Sequence, residues 1–146
     1  MKAHTITRVV VLGVGLLLSS QVLRAQEVLI VVNRSLSVSQ ITETELRDIF
    51  TGTRSRFKNG TPAAPVMLKG GPVHEFFLQR YVGDTPDEYR IRWRRALFTG
   101  QGAMPREFAT EDALLKYVEA TPGAIGYVSR LQADRVVKTL TITNAR

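Results

Sequence analysis

Six consecutive residues, Lys69-Gly70-Gly71-Pro72-Val73-His74, bring together a cation, two glycines, a helix-starting proline and the one histidine beyond the first 25 residues. The chemistry this order suits is anion binding by the backbone. Proline is favoured at the first helical position, where its missing N–H and preset φ cost nothing. Gly71 then stands at the N-cap with no side chain to offer the first turn. That leaves the N–H groups of Val73 and His74 without an intrahelical acceptor. A helix start of this kind attracts anions through those donors and through its dipole. Lys69 and a protonated His74 would add positive charge. The same residues also fit an ordinary glycine cap whose donors are satisfied by water. Lys69, Gly70, Gly71, Val73 and His74 are therefore the candidate ligand-binding residues.

Other chemistries find little in the sequence. There is no cysteine, so neither a disulfide nor a thiolate metal site can form. A single histidine outside the first 25 residues builds no metal cluster. Ser35, Ser37 and Ser39 lie in a loop with no base marked beside them, and no Gly-x-Ser-x-Gly elbow is present. Glu75 is adjacent to His74 on a helix, and adjacent helical positions do not face each other. The expectation is a binding protein with no catalytic residue, metal or cofactor. Arg90, Arg92, Arg94 and Arg95 form a basic run that fits either an acidic partner or the solvated side of an amphipathic helix. Arg54, Arg56 and Lys58 allow the same two readings.

Residues 1–25 read as a cleavable export signal. Lys2 and Arg8 open it, Val9 to Leu18 is an apolar run of about ten residues, and Ala25 is a suitable cleavage residue. The run is too short for a membrane span, which weighs against the competing reading of an uncleaved anchor. The segment holds three basic groups, Lys2, Arg8 and Arg24, and no acid, so the net charge of +7 falls to +4 without it. That balance suits solubility and acidic partners. With no arginine-rich tail and no zinc-finger spacing, it does not suggest nucleic acid. Residues 26–146 are then one domain with a modest core.

The elements that must position the glycine loop can be read in order. Val28-Leu29-Ile30-Val31-Val32, ending at Asn33, is a continuous β-branched run and predicts a buried strand. A short helix follows, with Thr42 and Glu45 as a capping box, Ile41 and Leu46 as a hydrophobic staple, and Gly52 as its left-handed stop. Pro65 to Leu68 predicts a second strand, leading straight into the glycine loop. The next helix carries Val73, Phe76, Phe77 and Tyr81 at helical spacing and ends at Gly83. Thr85-Pro86-Asp87-Glu88 is another capping box with proline at the first turn. The helix it opens has Tyr89, Trp93, Ala96 and Leu97 on one face. Thr110 with Glu111 and Asp112 starts a fourth helix, whose apolar face is Ala113, Leu114, Tyr117 and Val118. Ala124 to Val128 and Val136 to Ile142 predict two last strands. The alternation points to an α/β layer fold, a small central sheet flanked by about four helices.

Three strings then stand in a telling order: Val31-Val32-Asn33, Glu45-Leu46-Arg47-Asp48-Ile49-Phe50-Thr51-Gly52, and Pro122-Gly123-Ala124-Ile125-Gly126-Tyr127-Val128. With the strand and glycine loop between them, they resemble the periplasmic substrate-binding proteins of phosphate ABC transporters, over residues 28–130. The resemblance implies a type 2 periplasmic-binding-protein fold, a periplasmic location, and phosphate or another small anion as ligand. Members of that family have two lobes that close on the anion, and this chain has room for one. The family's Gly-Ser-Gly-Thr run aligns with Gly70, Gly71, Pro72 and Val73, so neither ligand hydroxyl is present. Lys69 stands near the family's arginine. The expected function is a single-lobe module that weakly binds an oxyanion. The alternative is a module that has kept the fold, lost the ligand and serves as a protein-interaction domain. In either case the face that would meet a second lobe is open to a protein partner.

Overall fold

The computed structural model describes residues 27–144. The expected signal segment, 1–25, lies outside the described residues. Eleven elements follow one another: β1 (Leu29–Asn33), β2 (Gln40–Thr42), α1 (Glu43–Thr51), β3 (Ala64–Leu68), α2 (Pro72–Phe77) continued by a π-helical turn (Leu78–Val82), α3 (Pro86–Phe98), β4 (Arg106–Phe108), α4 (Glu111–Ala120), β5 (Ala124–Val128) and β6 (Val137–Thr143). The architecture is mixed α/β. No helix of the described residues is long and apolar enough to cross a membrane.

The six strands form one sheet in the order β2-β6-β1-β5-β3-β4. β1 pairs antiparallel with both β5 and β6, while β3 runs parallel to β4 and β5. The two central strands are the two most apolar runs. All five residues of β5 are buried, as are four of the five in β1. Such strands are covered on both faces. Side chains alternate across the sheet, and β5 shows what lies on each side. Tyr127 stacks on Phe77 of α2 at 3.8 Å between centroids and meets Phe50 of α1 at 6.1 Å. A Cβ on Gly126, its neighbour, would stand 2.9 Å from Leu114 of α4 and 3.0 Å from Val66. Hence α1 and α2 cover one face and α4 the other.

The caps show why the helices begin where they do. Thr42, Thr85 and Thr110 each accept a hydrogen bond from the third residue of the helix that follows, at 3.1, 3.3 and 3.2 Å. At Thr85 the box is complete, because Glu88 accepts from the Thr85 N–H at 2.8 Å. At Thr42 only half of the expected box forms. The Glu45 carboxylate, 3 % exposed, accepts instead from the Lys58 N–H at 3.0 Å, and Arg54 and Lys58 lie within 4 Å of it. A long-range donor has replaced the local one, and the loop after α1 is held by it. The staple residues Ile41 and Leu46 are both buried. Gly52 ends α1 at φ 78°, a left-handed cap of the kind glycine adopts without strain. A Cβ there would also meet Trp93 at 2.7 Å.

Several expectations need correction. β2 and β4 are three-residue strands with no apolar run of their own, and pairing with β6 and β3 creates them. The second helix buries His74, Phe77, Leu78 and Val82, whereas Val73, Phe76 and Tyr81 are half-buried. Its π turn, closed by Gly83 N–H to Leu78 C=O at 2.7 Å, rotates the later residues relative to a 3.6-residue repeat. On α3, Tyr89 and Trp93 are buried, but Leu97 is 52 % exposed. On α4 the buried residues are Leu114, Leu115 and Val118, with Ala113 and Tyr117 half-buried.

Asn33, the last residue of β1, explains the first of the three strings. Its side-chain amide donates to the carbonyls of Val118 and Glu119 at 2.8 and 3.0 Å, satisfying the end of α4. Its Oδ1 accepts from the Ser35 N–H at 3.0 Å and from the Ser35 hydroxyl at 2.6 Å. One buried amide thus joins the strand, the helix end and the following turn.

Candidate functional site

β3, β4 and β5 are mutually parallel, so their carboxyl ends share one edge of the sheet. Ligands of α/β sheets characteristically bind at such an edge. Three chain segments leave the strands here, and two of them are satisfied internally. After β4, Thr110 caps α4. After β5, Glu111 accepts from both the N–H and the hydroxyl of Ser129 at 3.1 Å each.

The third segment is the glycine loop after β3. Lys69 is exposed, makes no ion pair among the described residues, and donates its backbone N–H to the Phe108 carbonyl at 2.9 Å. Gly70 and Gly71 are exposed, and a Cβ on either would meet nothing within 4 Å. Gly71 is the N-cap of α2 at φ 93°, ψ 172°, a region that is essentially glycine's alone. Its carbonyl accepts from the Glu75 N–H at 3.0 Å, and no side chain caps the turn. The N–H groups of Val73 and His74 find no protein acceptor among the described residues. Among the described residues, the four α-helices therefore show three threonine-capped starts and one bare start, and the bare one is at the carboxyl edge of the parallel strands.

His74 departs from its expected role. Its side chain is 5 % exposed and faces the core. Nδ1 lies 2.7 Å from the hydroxyl of Tyr127, which also accepts from the Leu68 N–H at 3.2 Å. Burial holds the imidazole below the usual histidine range; Glu75 opposes that shift and Arg90 adds to it. Burial also pushes the Tyr127 phenol well above its usual range. With both groups neutral, the hydroxyl that accepts from Leu68 donates to Nδ1 and leaves the ring proton on Nε2. The imidazole consequently adds no charge to the loop. What His74 offers a ligand is its backbone N–H, and what its side chain does is hold the loop.

The loop is pinned on both sides as a result. Lys69 is bonded to β4, and His74 is bonded to β5 through Tyr127. Tyr127 belongs to the third string of the sequence, and 53 residues separate it from His74. Only a histidine and a tyrosine each placed among apolar neighbours hinted at this tie. The five candidate residues are contiguous, and the structure gathers around them no further side chain that the sequence had suggested. Arg90, Arg92, Arg94 and Arg95 lie on α3, and Arg54, Arg56 and Lys58 lie in the turn after α1.

No protein-family model matches the chain, and no curated protein matches it in sequence. Solved structures do. A protein from Clostridium perfringens, assigned as a phosphate ABC transporter substrate-binding protein and solved with phosphate bound, superposes with a TM-score of 0.62 at 19 % identity. The match covers 79 % of this chain and 44 % of that one. PstS from Borrelia burgdorferi matches with a TM-score of 0.60 at 13 % identity, over 82 % and 48 % of the two chains. An ABC-type phosphate transport receptor from Vibrio cholerae gives 0.59 at 18 %, over 79 % and 45 %. The chain thus spans less than half the length of each of these structures. Its fold is that of a single lobe of the phosphate ABC transporter substrate-binding proteins.

Proposed function

We propose that this lobe is a non-enzymatic binding module that takes phosphate or another small oxyanion at the Lys69–His74 loop, in an exported, periplasmic setting. The observation that carries the reading is the bare start of α2. Among the described α-helices it is the one start without a threonine cap, it lies at the carboxyl edge of the parallel strands, and it follows an exposed lysine. An oxyanion there would accept from the Val73 and His74 N–H groups and from Lys69 Nζ. Each charge-assisted hydrogen bond contributes about 1.5–3 kcal/mol. With so few of them, all drawn from this one lobe, affinity is expected near millimolar, about −4 kcal/mol. Calorimetry with phosphate on the protein and on Lys69→Ala checks this. The account expects weak binding that Lys69→Ala weakens further. Micromolar binding, or binding unchanged by Lys69→Ala, contradicts it.

A second reading has its own support. Gly71 and Val73 provide no hydroxyl where the resemblance expects serine and threonine, and the imidazole of His74 is turned into the core. These features favour a lobe that has kept the fold and now serves as an interaction domain. Calorimetry that detects no binding of phosphate, sulfate or small carboxylates at tens of millimolar selects it.

A further inference from the structure

Nothing among the described residues covers the outward side of α3. Among the described residues the large exposed hydrophobics are Ile91, Leu97, Phe98 and Val136, at 45, 52, 87 and 50 %. Three of the four lie on this one helix. Single exposed apolar residues need no explanation, but grouped ones mark contact surfaces. Ile91 and Phe98 are two turns apart, so they share a line on the outward face. Arg94 and Arg95 fall between them, at the third and fourth positions after Ile91, and so flank that line on its two sides. Neither makes an ion pair among the described residues, whereas Arg90 pairs with Asp87 and Arg92 with Asp84.

An open cleft of about 730 Å³ runs beside this line, walled by Ile91, Arg92, Arg95, Thr53 and Gln101. Two carboxylates stand on its wall, Asp84 and Glu88, and only the first is ion-paired. Arg92 donates twice to Asp84, both at 2.8 Å, and the Thr85 N–H donates to Glu88. Glu88 keeps its charge at the N-terminal end of the helix, whereas along the line from Ile91 to Phe98 the unpaired charges are both positive, on Arg94 and Arg95.

We propose that the outward face of α3 and its cleft dock an acidic amphipathic helix of a partner protein. The apolar side of that helix would cover Ile91 and Phe98, and its carboxylates would meet Arg94 and Arg95. Apolar anchors supply buried area in such helix-in-groove contacts, and flanking charges supply specificity and encounter rate. The open cleft beside the line, walled by Ile91 and Arg95, gives a helix laid along α3 a second surface to pack on. The surface involves none of the residues Lys69–His74, so its failure leaves the oxyanion reading standing.

The test measures fluorescence anisotropy of labelled peptides titrated with the purified protein. One peptide carries leucines at helical spacing flanked by glutamates, and its control carries lysines in place of those glutamates. Phosphatidylglycerol vesicles are tested in parallel by co-sedimentation. The acidic peptide is expected to bind, more weakly as salt rises, with amide shifts centred on Ile91–Phe98. The double charge reversal Arg94→Glu, Arg95→Glu should reduce its affinity at least about tenfold, and Phe98→Ala should also weaken it. Both variants alter exposed residues, and circular dichroism confirms that they fold. Failure of the acidic peptide to bind overturns the proposal. So do equal binding of the two peptides, indifference to the charge reversal, or binding to vesicles in preference to the peptide.

Discussion

Helices α2 and α3 are neighbours in sequence and opposites in construction. α2 buries His74 and Phe77 and, through its π turn, Leu78 and Val82. Its first turn is bare, with glycine at the cap. α3 starts with a complete capping box and buries only Tyr89 and Trp93 of its 13 residues. One helix is finished along its side and open at its end, and the other is finished at its end and open along its side. Free backbone donors suit a small anion, whereas an uncovered side suits another polypeptide. The difference follows from how each is attached. α2 is fused to the sheet by the Phe77–Tyr127 stack and the His74–Tyr127 hydrogen bond. α3 reaches the core through Tyr89, whose hydroxyl donates to the Phe50 carbonyl at 2.5 Å, and through Trp93 against Gly52.

The largest effect expected from this contrast is at Trp93. Trp93→Ala removes one of the two anchors of α3 and should cost about 3–5 kcal/mol. Hydrogen exchange should show the loss of protection concentrated in α3, with β1 and β5 nearly unchanged. Equal loss throughout would mean that α3 is as deeply integrated as α2. Tyr127→Phe keeps the stack on Phe77 but leaves the Leu68 N–H and the His74 ring without their partner. About 2–6 kcal/mol should be lost on denaturant unfolding, from two buried groups at about 1–3 kcal/mol each.

A smaller effect belongs to protons. The folded-state pKa of His74 is depressed below its ordinary 6.5. Below that value the unfolded chain binds a proton that the folded protein refuses, so stability falls as pH drops and is regained above it. The slope is at most about 1.4 kcal/mol per pH unit. His74→Gln should flatten the pH profile of unfolding through this range, and an unchanged profile would remove His74 as its source. The smallest effect tests the caps. Thr85→Ala should cost about 1 kcal/mol, visible as a few degrees in Tm, and should leave any anion response of the α2 start untouched.

Much of this frame was readable from local chemistry. The run Val28–Val32 and the string Ala124–Val128 contain nothing a solvent-facing strand would use, and they became the two central strands. Thr85 and Glu88 needed only each other, and their box formed as expected. What escaped was set by distant neighbours. Gln40–Thr42 and Arg106–Phe108 are strands only because β6 and β3 lie beside them. Glu45 left its local partner for the Lys58 N–H, 13 residues away. The π turn after Phe77 left Tyr81 half-buried and put Val82 in the core. The bare helix start was legible because glycine and proline mark such a start locally. The fate of the His74 side chain was not, because it depends on a tyrosine 53 residues further on.

The proposal that the bare start of α2 binds a small oxyanion is met most directly by amide shifts under phosphate titration. Isotope-labelled protein should show the Gly70, Gly71, Val73 and His74 signals moving first and saturating together in the millimolar range, while the capped starts of α1, α3 and α4 stay in place. If those signals stay still at tens of millimolar phosphate, or move no more than the signals at the capped starts, the loop is not an anion site.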